Sequence, residues 1–240
     1  LNWSSRTTKD IWLLSAGHGL THWYTATFYL LLPLIGKEFG LSYTEIGLIM
    51  TVQHLAGAIS NIPGGMIVDM VGKKGYLLAT SLFWVGFPYA LMSLTHSFWM
   101  LLICVTLVGI GNNLWRPAAI PTLAYRYPER RGLVLSFHGM GGNFGDAVAP
   151  LVVGLLLSAY SWRDVVVLNV VPGMILSVAL LIYIGRIQSS EKNQSKMKAS
   201  GDVLGGFVQL LKNRTMLTLS IGSAFRALTQ GALMTFLPLY

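Results

Sequence analysis

The chain has 240 residues, of which 53% are hydrophobic and only 11% charged, with a formal net charge of +8. A typical soluble domain carries roughly 25% charged residues; here there are too few to coat a water-facing surface, so the natural solvent is lipid. Disordered, collagen-like and disulfide-stapled classes are excluded, and Cys104, the one cysteine, has no internal partner.

About 20 apolar residues are needed per membrane-crossing helix. In chain order, the charge-poor windows predict spans at 11–35, 45–68, 76–94, 98–124, 133–159, 165–185 and 215–240. The charge-free window from Gly75 to Trp115 is too long for one span and breaks at Thr95-His96-Ser97, which reads as a tight turn. Three regions follow: a six-helix transmembrane bundle over 1–185, a central cytoplasmic loop over 186–213, and a seventh span over 214–240. Within the loop, 188–201 is rich in Ser, Lys and Gln and has little to bury. The stretch 202–212 has Val203, Leu204, Phe207, Leu210 and Leu211 at helical spacing. It reads as a short amphipathic helix on the membrane face, or as an extension of the seventh span.

The excess of Lys and Arg is a topology signal and does not indicate nucleic-acid binding. With the N-terminus cytoplasmic, only Lys37 and Arg163 fall on the outer side, Arg116 and Arg226 lie within spans, and the remaining thirteen of the 17 basic residues are inside. This predicts a multi-pass protein of the plasma (inner) membrane. A gapless comparison of 14–35 with 219–240 pairs Leu14-Ser15 with Leu219-Ser220, Gly17 with Gly222, and Leu32-Pro33-Leu34 with Leu237-Pro238-Leu239. The seventh span therefore reads as the start of a second copy of the first six, related to it by an axis along the membrane normal. A C-terminal half belonging to the same protein is expected beyond this sequence.

Ionisable residues inside a membrane are costly and face a protein interior or water. They are unevenly placed: His18 and His22 in the first span, His54 in the second, Arg116 in the fourth, His138 and Asp146 in the fifth, and none in the third or sixth. Spans one, two, four and five are thus expected to surround a polar cavity. His18, His22, Thr25 and Tyr29 share one helical face, able to bind substrate or take a proton; hydrogen bonding between helices is the plainer role. A metal site is disfavoured because no carboxylate or Cys lies close in sequence. Arg116 follows Asn112 and Asn113 and stays charged at any accessible pH. It needs an acid or an anionic ligand, and Asp146, the only acid in the interior of a span, is the internal candidate. A structural Arg116–Asp146 pair and a substrate or proton role both fit. Arg226 is the lone charge of the seventh span. Gly141, Gly142 and Gly145, with Pro150 beyond them, mark close helix packing or a gating point.

Three motifs carry a family resemblance. Gly65-Met66-Ile67-Val68-Asp69-Met70-Val71-Gly72-Lys73-Lys74, between spans two and three, resembles the loop signature G-x-x-x-D-[RK]-x-G-[RK]-[RK] of the major facilitator superfamily (MFS), with Met70 departing from the basic residue usual there. Pro128-Glu129-Arg130-Arg131-Gly132 resembles the family's inside loop after span four. Gly145-Asp146-Ala147-Val148-Ala149-Pro150 is similar in part to the glycine–proline motif of family antiporters. The region around Gly141-Gly142-Asn143-Phe144-Gly145 more distantly resembles the fosmidomycin-resistance-type branch. The resemblance implies an all-α polytopic membrane protein, namely the six-helix N-terminal bundle of an MFS fold plus a seventh transmembrane helix. It also implies that Gly65, Asp69, Gly72, Lys73 and Lys74 act in the conformational cycle and are not ligands.

The expected function is transport by alternating access, with protons as coupling ion and a small organic, anionic solute, because two membrane arginines face one membrane acid. Drug or amphiphile efflux is the rival within the class, and a non-transporting membrane sensor the rival outside it. No enzyme activity, cofactor or metal is expected. No phosphate-cradling loop is present in the sequence, and only His18-x-x-x-His22 approaches metal-ligand spacing.

Overall fold

The computed structural model describes residues 5–71, 74–188 and 212–239, and among these there are helices and no strands. Seven long α-helices follow in order: α1 (Ser5–Phe39), α2 (Tyr43–Val71), α3 (Lys74–Leu91), α4 (Phe98–Arg126), α5 (Arg131–Leu157), α6 (Trp162–Gln188) and α7 (Arg214–Phe236). Each coincides with a predicted span to within a few residues at either end. The break at Thr95-His96-Ser97 falls where expected, after a single 3₁₀ turn at Met92–Leu94. Residues 202–211 of the predicted amphipathic helix and most of the linker lie outside the described residues.

The helix ends are written in local chemistry. Gly40 has φ of +63°, and Leu41 N donates to Gly36 O at 2.8 Å, a left-handed cap that stops α1. Ser42 and Glu45 form a reciprocal capping box: Ser42 N donates to Glu45 Oε2 at 2.8 Å and Glu45 N to Ser42 Oγ at 3.3 Å. Ser161 and Asp164 repeat the device before α6. Ser97 caps α4 and Asn213 caps α7.

Lys74–Leu94, Phe98–Arg126, Pro128–Leu157 and Trp162–Tyr183 are long and apolar enough to cross a membrane. Helices α1, α2 and α7 have the length, at 35, 29 and 23 residues, but a lower apolar content. The reason is visible in sequence: they carry Asp10, His18, His22 and five threonines (α1), Gln53, His54 and Asn61 (α2), and Arg214, Arg226 and Gln230 (α7).

Packing pairs α1 with α5, α2 with α4, and α3 with both α4 and α6. One apolar cluster is centred on Tyr24, Phe28, Leu31, Ile49, Tyr89 and Val166, and the other on Leu14, Leu82, Trp115, Ala118 and Val134. The polar side chains of α1 lie between them. The two principal crossings depend on glycine. A Cβ on Gly141 would stand 2.1 Å from Ser15 O and one on Gly145 2.1 Å from Gly19 O, so α1 and α5 touch backbone to backbone. Gly109 does the same for α4 against α2, where a Cβ would meet Gln53 O at 2.3 Å. The outward faces of α3 and α6 are apolar, with Phe83, Phe87, Val167, Ile175 and Ile182 exposed. Helix α7 meets the bundle at one end, with Phe236 against Gly47 and Leu239 against the first cluster.

Candidate functional site

The site is built on one stripe of α1. His18 is buried, its Nδ1 lies 2.8 Å from the backbone carbonyl of His138, and its ring stacks on that of His138 at 4.2 Å with 8° between planes. A carbonyl only accepts, so Nδ1 of His18 carries hydrogen. One turn on, His22 meets the His18 ring edge-on at 4.7 Å. Gly142 makes room for both imidazoles: a Cβ there would stand 3.0 Å from His18 Cε1 and 3.1 Å from His22 Cδ2.

His22 is the hub. Its Nδ1 is 2.8 Å from Asp146 Oδ2 on α5, and its Nε2 is 3.2 Å from Arg116 Nη2 on α4. The direct Arg116–Asp146 pair that the sequence left open is therefore not formed; an imidazole stands between the two charges. Guanidinium has donors only, so Nε2 of His22 accepts and its hydrogen sits on Nδ1, aimed at the carboxylate. Three helices are thereby joined by one neutral ring, a cation and an anion. The array is open on one side: the side chains of His22 and Asp146 are 26% and 47% exposed, and Arg116 is exposed as well.

Further along the stripe, Thr25 Oγ1 accepts from Asn112 Nδ2 at 2.9 Å and donates to Thr21 O. Tyr29 OH pairs with His54 Nε2 at 3.2 Å, which brings α2 to the same stripe. Asn113, the neighbour of Asn112, turns instead to α2, accepting from Asn61 Nδ2 at 3.2 Å. Arg226 is not brought into the array; its Nη1 donates to Gln230 Oε1 on its own helix. Pro150 lies within α5 and is exposed. Of the loop motif, Gly65 faces open space, Asp69 belongs to the last turn of α2, and Lys74 Nζ lies 5.0 Å over the Tyr125 ring. Gly72, Lys73 and the side chain of Asp69 lie outside the described residues. Among the described residues, no three His, Cys, Asp or Glu side chains are placed to hold a metal ion.

Two ion pairs were missed in the sequence because each straddles a span boundary. At the start of α1, Asp10 is buried and Arg126 Nε at the end of α4 lies 3.0 Å from its Oδ2. The neighbouring Tyr127 hydroxyl is pushed up to about 12, by burial first and then by the Asp10 charge. At the other end of α1, Glu38 accepts from the Trp162 indole and, at 2.6 Å, from Arg163 Nη2, while Arg163 Nη1 donates to Ser93 O. These bonds hold the Glu38 carboxyl below the usual carboxylate range, the Trp162 contact first. Opposite charges flanking opposite-running spans on the same membrane side were the available signal.

An all-helical, multi-pass membrane bundle with ionisable groups gathered on one inner stripe defines a class of integral membrane proteins. Residues 14–240 match the model of the Major Facilitator Superfamily, and the chain belongs to that family. It is 26% identical over 208 residues to a fosmidomycin resistance protein of Escherichia coli, covering 87% of this chain and 50% of that one. It is equally identical over 217 residues to a probable L-galactonate transporter of the same organism, covering 86% and 48%. A solved bacterial homolog of the lysosomal transporter Spinster, inward-facing and unoccupied, superposes with a TM-score of 0.75 at 20% identity, covering 99% of this chain and 56% of the other. The chain thus spans about half the length of the curated relatives it matches.

Proposed function

We propose that this bundle is the N-terminal half of an alternating-access transporter that moves a small organic anion together with protons. The observation that carries the reading is the open Arg116–His22–Asp146 array: an exposed cation, and two groups able to exchange protons beside it. Thr25 with Asn112, and Tyr29 with His54, line the same stripe and offer hydrogen bonds to a polar solute. The relative named for L-galactonate, a sugar-acid anion, supports the anionic class. A C-terminal half begun by α7 covers the polar face, the N-terminus is cytoplasmic, and the 65–74 segment latches one state of the cycle.

A second reading, efflux of a drug, draws on the relative named for fosmidomycin resistance. One experiment separates the two. The full-length protein is placed in proteoliposomes under an imposed pH step, and radiolabelled gluconate and benzoate are compared with ethidium. Carboxylate uptake driven by inward proton flow is expected. Ethidium extrusion against inward protons, with no carboxylate movement, would establish the second reading in its place.

A further inference from the structure

The directions of the two hydrogen bonds on His22 determine what a proton arriving at the site does. We propose that His22 is the proton-operated switch that hands Arg116 to the substrate anion, an inference that rests on the anion and proton reading above. In the neutral ring, Nδ1–H donates to Asp146 and the Nε2 lone pair holds Arg116. Nε2 is the only basic position left on the ring. A proton from the cavity adds there, an N–H bond forms, and the Arg116 hydrogen bond breaks, because two N–H donors and two positive charges then face each other. Asp146 remains on Nδ1–H and balances the imidazolium. Arg116 is exposed, so its guanidinium turns to the open face, where a carboxylate can be held through two parallel bonds.

The loaded site is electroneutral in two pairs, His22 with Asp146 and Arg116 with the anion. Loss of the proton restores the lone pair, recaptures Arg116 and releases the anion. Protonation of Asp146 has no such effect: a carboxylic acid still accepts from Nδ1–H, and the Arg116 contact stays whole. The other titratable groups around His22 are already engaged or set back. His18 lies beside it on α1 and is tied to the His138 carbonyl; His138 of α5 stacks behind His18. His54 of α2 is bonded to Tyr29, and Arg226 of α7 to Gln230. Among the described residues, α3 and α6 bring no charged side chain to the ring.

Nitrogen NMR of isotope-labelled histidine and arginine side chains, in the full-length protein in lipid nanodiscs, tests the switch without transport. The His22→Gln spectrum identifies the His22 signals; if that variant does not fold, the through-space contact between His22 and Arg116 does so in the wild type. The expected result is hydrogen on Nδ1 in the neutral ring, a second on Nε2 on acidification, and Arg116 signals that move with the same midpoint. Hydrogen on Nε2 in the neutral ring, or Arg116 signals that stay fixed while His22 titrates, overturns the proposal. In proteoliposomes, His22→Gln keeps both hydrogen bonds but takes no proton. Arg116 is then held permanently, so the variant is expected to lose at least tenfold both counterflow of gluconate or benzoate, whichever the wild type carries, and accumulation driven by a pH gradient. Wild-type accumulation in this variant overturns the switch, whereas absent wild-type counterflow of both carboxylates overturns the anion reading itself.

Discussion

At the scale of single residues, the site is an arrangement in which one ring separates two charges. The sequence offered Asp146 as an internal partner for Arg116 and left a direct pair open. Position along the chain, however, says nothing about rotation of each helix around its axis, and that rotation brings His22 between them. The same limit explains why Asn112 and Asn113, adjacent in sequence, serve different neighbours, α1 and α2, and why Arg226 stands apart. Arg116→Ala should raise the half-saturating concentration for carboxylate counterflow about ten- to a hundredfold, the worth of a hydrogen-bonded charge. An unaltered value would make Arg116 a partner of His22 and nothing more. Asp146→Asn should leave counterflow measurable and reduce uphill transport, because an amide accepts from Nδ1–H but cannot balance an imidazolium; unchanged uphill transport at several pH values would exclude Asp146 from coupling.

At the scale of elements, the seven long helices among the described residues were legible because uncharged runs of the right length have few alternatives in lipid. The caps were legible in principle from Ser42-x-x-Glu45 and Ser161-x-x-Asp164. What the pattern could not separate was which glycines pack and which merely occur. Gly145 meets the Gly19 carbonyl, while a methyl group on Gly154, two and a half turns later on α5, would have no neighbour within 4 Å. Gly145→Ala should therefore force α1 and α5 apart and destabilise the protein by about 1–3 kcal/mol. Gly154→Ala should be neutral or stabilise by up to about 1 kcal/mol through helix propensity. Thermal unfolding of the two variants in detergent reads the contrast; equal effects would mean that the crossing is looser than the backbone contact implies.

At the scale of the whole molecule, the fold class and family were accessible from composition and the loop motif. The two ion pairs that tie the bundle together were not, since Asp10, Arg126, Glu38 and Arg163 sit at span edges where charge is commonplace. Glu38 gives a pH dependence with a definite sign. Its carboxyl is held below the ordinary value of about 4.3 by Trp162 and Arg163. Its contribution is therefore complete above that value and is lost as pH falls through the lower folded one. Thermal midpoints measured between about pH 5 and pH 3 should drop in the wild type and drop less in Glu38→Gln. Equal slopes would place the acid sensitivity at other carboxylates.

The placement of those two ion pairs has a mechanical meaning. Asp10 fastens one tip of α1 to α4, Glu38 fastens the other tip to α6, and the glycine crossing with α5 grips its middle. A rod clamped at three points along its length cannot bend or slide independently. Spin labels placed on α1 and α5 should accordingly keep one separation whether the protein is at acid or neutral pH, with or without carboxylate. The six-helix bundle is then expected to answer a load as one stiff body.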